Sequence, residues 1–228
     1  MKPGTRALGI AESYRPGADE STLAGVVVRA DRVLDGAIFD RCTVGGLDAT
    51  DAIVSLVTGL ERPDVRVCFV GAVAPAWYNL LDLEAIYDRT GVPVVAVTFE
   101  ESDGLEPGLR EAFSGEALEM RLERYRSLPP RRSVRLESEM TSDGADSDEM
   151  DSDEMDSDEM GSDEMGSDGA DSDGAETVYV RTAGLDADRA ASFVQTFTPE
   201  GGRPEPIRVA RTLARAGDAS FHDRVGHE

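Results

Sequence analysis

Leu23-Ala24-Gly25-Val26-Val27-Val28-Arg29-Ala30, followed after Asp31-Arg32 by a second apolar stretch over residues 33–44, decides the fold of this chain. The first run is β-branched and apolar almost throughout, which predicts a buried strand. In the second, Leu34, Ile38 and Cys42 supply the apolar positions, and two intervening residues are short enough for a hairpin connection. Upstream, residues 6–12 read as one more strand of small and apolar side chains. Downstream the period changes. Ile53, Leu56, Val57 and Leu60 recur at helical spacing over residues 48–60. Residues 65–71 read as a strand, and residues 79–89 as a helix with Leu80, Leu83 and Ile86 or Tyr87 on one side. Residues 93–99, with Val-Val-Ala-Val-Thr, read as a strand buried in a parallel sheet.

Three hairpin-connected strands and then alternating helix and strand is the chain order of the ribonuclease H-like α/β fold. Right-handed crossovers place strands four and five beside the first, predicting a mixed five-stranded sheet in the order 3-2-1-4-5. Further on, residues 105–128 read as one broken helix or two. Residues 132–136 and 177–181 look like partner strands that add a C-terminal hairpin, and helices over 186–197 and 207–216 follow. The expected organisation is a core with its following helices over 1–137, an acidic insertion over 138–176, and a strand and helices over 177–228 that complete the same domain.

Within that insertion, residues 140–176 hold 16 of the 46 Asp and Glu residues and no Lys or Arg, and so carry most of the net charge of −23. Asp-Ser-Asp-Glu-Met recurs there from Asp146, Asp151 and Asp156, then decays. A five-residue period fits neither helix nor strand, and the apolar content is too thin to offset ordering entropy. The expectation is a disordered, solvated spacer, whose expansion costs only about 0.6 kcal/mol of closure entropy per doubling. Cation binding or docking to a basic partner is the alternative, although the acids do not match an EF-hand. The bases are 22 Arg and Lys2 alone, which suggests a salt-accumulating cytosol or a GC-rich genome. Cys42 and Cys68 sit in apolar strands and read as free thiols with no zinc spacing. No targeting segment or membrane span is apparent, so the expected location is the cytoplasm.

The fold gathers carboxylates where its central strands end, and there they can hold divalent metal against a phosphodiester. Glu12, at the end of the first strand, is a candidate ligand or an ordinary loop acid. Asp48 opens the first helix and reads as a metal ligand or as an N-cap, with Asp51 favouring the same helix end. Gly45-Gly46 would let backbone approach a substrate or phosphate closely. Asn79 and Asp82 read as an N-cap and its N3 partner, or as site residues. Trp77 and Tyr78 bring two aromatic rings beside these polar groups, as stacking on an extruded base requires, or as packing on the sheet requires. Arg121, Arg124, Arg126, Arg131, Arg132 and Arg135, and Arg208, Arg211 and Arg215 on the last helix, could contact phosphate or form a solvated surface. His222 and His227 fall in the tail and are assigned no role. No Gly-Lys-Ser/Thr loop is present, which speaks against nucleotide phosphotransfer.

Six short motifs in order, Leu8-Gly9-Ile10-Ala11-Glu12, Ala24-Gly25-Val26-Val27-Val28-Arg29, Gly46-Leu47-Asp48-Ala49-Thr50, Trp77-Tyr78-Asn79-Leu80-Leu81-Asp82, Thr90-Gly91-Val92-Pro93-Val94 and Pro204-Glu205-Pro206-Ile207-Arg208, resemble the archaeal deoxyuridine endonucleases, endonuclease dU, distant relatives of endonuclease V. The resemblance implies a ribonuclease H-like, endonuclease V-like core that nicks DNA containing deoxyuridine or other deaminated bases with Mg²⁺ or Mn²⁺. It implies Glu12 and Asp48 as metal ligands and catalytic acids, with Asp82 a third or supporting acid. Asn79 would orient substrate or a ligand, with Trp77, Tyr78, Gly45 and Gly46 near the DNA. The chain departs from the pattern at Ala11, where an acid is expected, at Gly45-Gly46, where an acid-glycine pair is expected, and at the end of the fourth strand, where Val70-Gly71-Ala72-Val73 stands in place of an acid. A catalytically inactive nucleic-acid-binding or adaptor protein on the same fold is the alternative those departures leave.

Overall fold

A computed structural model of the chain describes residues 1–99, 104–136, 176–199 and 201–225. Seven strands form one mixed sheet: β1 (Arg6–Ser13), β2 (Glu20–Arg29), β3 (Leu34–Thr43), β4 (Val65–Val70), β5 (Val94–Thr98), β6 (Arg132–Leu136) and β7 (Glu176–Ala183). Their order is β3-β2-β1-β4-β5-β7-β6. The expected 3-2-1-4-5 arrangement is the larger part of it. The C-terminal hairpin extends the sheet through β7, which runs antiparallel to β5 with Val94 opposite Ala183. β1 and β2 are antiparallel, whereas β1, β4 and β5 are mutually parallel. Three parallel central strands therefore end on the same side of the sheet.

Their alternation serves two cores. Leu8 and Ile10 of β1, Cys68 and Val70 of β4, and Val94 and Ala96 of β5 face a core with Ile53 and Leu56 of helix α1 (Ala49–Gly59) and Ile86 of α3 (Leu83–Thr90). The interleaved Ala7, Val67, Phe69, Val95 and Val97 face a second core with Phe193, Val194 and Phe197 of α6 (Ala187–Phe197). This double burial explains why the central strands read as continuous apolar runs. Helix α7 (Glu205–Val225) lies across β1 and β2, where Ala210 meets Ala11, Val26 and Val28. Cys42 and Cys68 are both buried free thiols.

Several boundaries move. The helix expected over 79–89 begins only at Leu83. The four residues before it belong to an irregular segment that follows α2 (Pro75–Tyr78). Residues 105–128 resolve into α4 (Glu106–Ala112) and α5 (Gly115–Ser127), separated where Phe113 and Ser114 turn extended. The acidic insertion lies outside the described residues apart from Glu176, which opens β7. No described helix is long and apolar enough to cross a membrane.

At the end of the sheet away from the site, Asp35 accepts from Arg6 Nε at 2.5 Å and from Arg62 at 2.8 Å, tying β3 to β1 and to the turn before β4. Both guanidinium groups hold its carboxyl at about 2, below the ordinary 3.8. A carboxyl depressed in the folded state contributes stability that is complete above its unfolded value and disappears as pH falls through its folded value. Acid titration followed by circular dichroism should therefore show part of the stability lost between pH 4 and about 2, and Asp35→Asn should flatten that limb.

Candidate functional site

Glu12, at the carboxyl end of β1, is half-buried and lines a cavity of about 240 Å³ with Ala11, Gly71, Pro75, Arg203 and Arg211. The Ser21 hydroxyl, from the neighbouring β2, donates to Glu12 Oε2 at 3.0 Å. Oε1 has no hydrogen-bond partner among the described residues. Burial lowers the Arg211 pKa, and the charges of Arg203 and Arg215 lower it further, while Glu12 opposes them. The crevice thus sets one acid among guanidinium groups. Burial pushes the nearby Cys42 thiol to about 12, and the negative charges of Asp48 and Glu12 add to that rise. It is no nucleophile at neutral pH.

Asp48 and Asp82 do not line this cavity. Asp48 occupies the position before α1 but caps nothing with its side chain. It turns back to β3, accepting from the Thr43 hydroxyl at 2.7 Å and from the Thr43 N–H at 3.1 Å. Asn79, fully buried, completes the cluster. Its amide donates to Asp48 Oδ1 at 2.6 Å and to the Thr43 carbonyl at 2.8 Å, while its Oδ1 accepts from the Ala49 N–H at 3.0 Å. Asn79 is therefore the cap of α1, delivered from 30 residues away, and not the cap of its own helix. That role falls to Asp82, which accepts from the Ala85 N–H at 2.9 Å and is fixed through its own N–H to Thr50. Burial raises the Asp48 pKa, but the Thr43 and Asn79 hydrogen bonds outweigh it and the carboxyl stays below its ordinary value.

The Pro75–Tyr78 turn carries Ala76, Trp77 and Tyr78 at φ of +47°, +55° and +63°. Three consecutive left-handed residues without a glycine cost of order 1–3 kcal/mol each. The surroundings enforce them. The Gly45 N–H donates to the Ala76 carbonyl at 2.7 Å, and the Asn79 N–H closes the turn on Pro75 at 3.0 Å. The Trp77 ring lies over Gly45, where a Cβ would stand 2.7 Å from it, and Gly45 itself has a φ of +70°. Trp77, Tyr78 and Phe113 form an aromatic trio with centroids 5.1–6.0 Å apart, and Trp77 remains 47% exposed. Beneath it Arg121, expected to contact phosphate or to lie on a solvated surface, is only 5% exposed. It stacks on Phe113 at 3.9 Å and donates to the carbonyls of Gly45 and Gly46. Arg126 and Arg208 are ion-paired with Glu106 and Glu205.

Of the two carboxylates expected as metal ligands, Glu12 lines the crevice and Asp48 does not. Among the described residues no group of three His, Cys, Asp or Glu side chains forms a nest for an ion. Asp48 is engaged by Thr43 and Asn79, whereas Glu12 Oε1 is open to the crevice. A single carboxylate is at the lower end of what Mg²⁺ commonly takes from a protein, and Glu12 would supply it.

The endonuclease dU family profile matches residues 3–151 and 164–217. The chain belongs to the endonuclease dU family. A relative from Pyrobaculum calidifontis, the UPF0215 protein, is 31% identical over 211 residues, covering 91% of this chain and 93% of its own. Among solved structures, a protein of unknown function from Archaeoglobus fulgidus superposes with a TM-score of 0.67 at 22% identity, covering 92% and 96% of the two chains. Endonuclease V of Ciona intestinalis, in complex with a 24mer DNA containing an inosine, superposes at 0.52 with 10% identity, covering 95% and 87%. At these identities the structural likeness establishes the fold: an endonuclease V-like mixed sheet.

Within this endonuclease dU chain, Ala11 and Gly71 line the same cavity as Glu12. Ala11 and the Val70-Gly71-Ala72 stretch, where the resemblance leads one to expect acids, are thus at the crevice and carry none. Arg211 was expected to contact phosphate or to form a solvated surface and Arg203 was not singled out, because nothing in their spacing shows that the loop before α7 and its second turn overhang the end of β1.

Proposed function

We propose that the protein is an endonuclease that nicks DNA containing deoxyuridine or another deaminated base, with Glu12 as its catalytic carboxylate. The observation that carries this reading is one acid facing Arg211 and Arg203 where β1 and β4 end, in a chain of the endonuclease dU family. The two guanidinium groups offer N–H forks to the phosphate that is cut. When bound, Mg²⁺ or Mn²⁺ supplies an activated water and neutralises charge at the scissile phosphate, and Glu12 would hold it. Ser21 fixes the orientation of Glu12 through Oε2. Asn79 and Asp48 are positioning residues: they hold Thr43 and the start of α1, next to the Gly45-Gly46 turn on which Trp77 rests. Trp77, the exposed ring of the trio, stacks on the displaced base.

The test is incubation of the full chain with uracil-containing and undamaged duplexes in high salt, with Mn²⁺ or with a chelator. Nicking confined to the uracil strand and abolished by chelator is the expected result. An absence of metal-dependent cutting on either duplex overturns the nuclease reading.

Ala11 and Gly71 favour a second reading, a protein that binds such DNA without cutting it. The two readings diverge in Ala11→Asp, which adds a carboxylate at the wall that the crevice shares with α7. In a working nuclease it should tighten metal binding by about tenfold, read as the Mn²⁺ concentration giving half-maximal nicking. In a protein that has lost its site for other reasons it should leave nicking absent.

A further inference from the structure

Arg121, in the middle of α5, is held in a way that the nicking chemistry does not require. Its side chain is buried, and no carboxylate of the described residues is ion-paired with it. One terminal nitrogen donates to the Ala117 carbonyl at 2.9 Å and the other to the carbonyls of Gly45 and Gly46, while Nε is buried without a hydrogen-bond partner. A charge taken out of water without a counter-charge costs several kcal/mol, and bonds to neutral carbonyls offset only part of that. An apolar side chain of similar length would fill the space against Phe113 more cheaply. What it could not do is bind two successive carbonyls of one turn.

Those carbonyls belong to the turn on which the strained Pro75–Tyr78 segment is built. The Gly45 N–H donates to the Ala76 carbonyl, and the Trp77 ring lies over Gly45. Phe113, on whose ring the guanidinium lies at 3.9 Å, also packs against Trp77 at a centroid distance of 5.1 Å. Both supports of the Trp77 ring therefore meet at one guanidinium. Left-handed residues without glycine persist only where their surroundings over-determine them. A half-exposed ring fixed in this way loses little further freedom when something stacks on it.

We propose that Arg121 is the positioning residue that sets the Trp77 ring, and through it the preference for DNA in which a base is easily displaced. The second half of this rests on the reading of Trp77 as the ring that receives that base. Mismatched bases leave the stack at the least cost, so a uracil opposite guanine is the substrate on which the effect is largest.

Trp77 is the only tryptophan of the chain, so its fluorescence reads the ring directly. The full chain, in chelator so that binding is read whether or not DNA is cut, is compared with Arg121→Met and Arg121→Lys. The first keeps the unbranched stem, and the second keeps the charge but not the planar fork. In free Arg121→Met, Trp77 emission should shift to the red and its quenching by acrylamide should rise, while the melting temperature stays close to that of the parent. Its affinity for a duplex with one uracil opposite guanine, relative to the same duplex with cytosine, should fall by about tenfold, the worth of one base–aromatic stack. Affinity for the undamaged duplex should not change, whereas a merely structural loss would weaken both duplexes alike. Arg121→Lys should show the same losses in smaller measure, and it decides the matter if Arg121→Met fails to fold. Parent-like emission and quenching in the substituted proteins overturn the proposal, as does a mismatch preference that they retain. A parent that shows no such preference, and whose emission does not respond to DNA, contradicts the stacking reading of Trp77 instead. The emission of the free proteins then decides alone for or against Arg121.

Discussion

Gly9→Ala is expected to cost about 3 kcal/mol or more, enough to leave much of the chain unfolded, because it overpacks a site where only backbone could yield. Gly9 lies in the middle of β1, paired with Val26 on one side and Phe69 on the other. A Cβ there would stand 2.1 Å from the carbonyl carbon and oxygen of Pro206, at the first turn of α7. Overpacked side chains relieve a clash by changing rotamer. A carbonyl at a helix start cannot, so α7 must lift from the sheet and take Arg211 with it. Urea denaturation should show a midpoint far below that of the parent with the slope unchanged. A parent-like midpoint would mean that α7 docks elsewhere.

Asn79→Ala is expected to cost about 3 kcal/mol, from the loss of three bonds to buried or carboxylate partners. The substitution leaves the Ala49 N–H, the Thr43 carbonyl and Asp48 Oδ1 without the group that joined them. Asn79→Asp separates the two halves of the effect. It keeps an acceptor for Ala49 but sets a second carboxylate against Asp48, 2.6 Å from the former amide. Its deficit should therefore shrink at acid pH, where one of the two carboxyls takes a proton, and that of Asn79→Ala should not shrink in the same way. Equal pH profiles for the two proteins would show that the Asp48 contact is unimportant.

How much of this was legible differs from element to element. β2, β4 and β5 were readable because burial on both faces leaves unbroken apolar runs, and α1 because its apolar residues recur at helical spacing. The start of α3 was not. Asn79 reads as a helix cap in its local sequence, and its true partners, Thr43, Asp48 and Ala49, lie 30 or more residues earlier. Asp82 carries the same cap chemistry and wins the position. The left-handed Ala76-Trp77-Tyr78 turn has no glycine to announce it; its one signal is Gly45, far upstream, which yields space to the Trp77 ring. Glu12 was placed by the rule that strand ends carry function. The guanidinium groups around it were not, because charge in a sequence says nothing about which side of the sheet a crossing helix covers.

The claim on which the rest depends is that Glu12 works in a phosphate-holding crevice. Binding and nicking of one uracil-containing duplex by the parent chain and by Glu12→Gln, in Mn²⁺, measure it directly. Loss of a sole catalytic carboxylate should lower the nicking rate by about 100-fold or more while DNA affinity stays within about threefold, since arginines carry the binding. Nicking by Glu12→Gln at the rate of the parent would contradict the account.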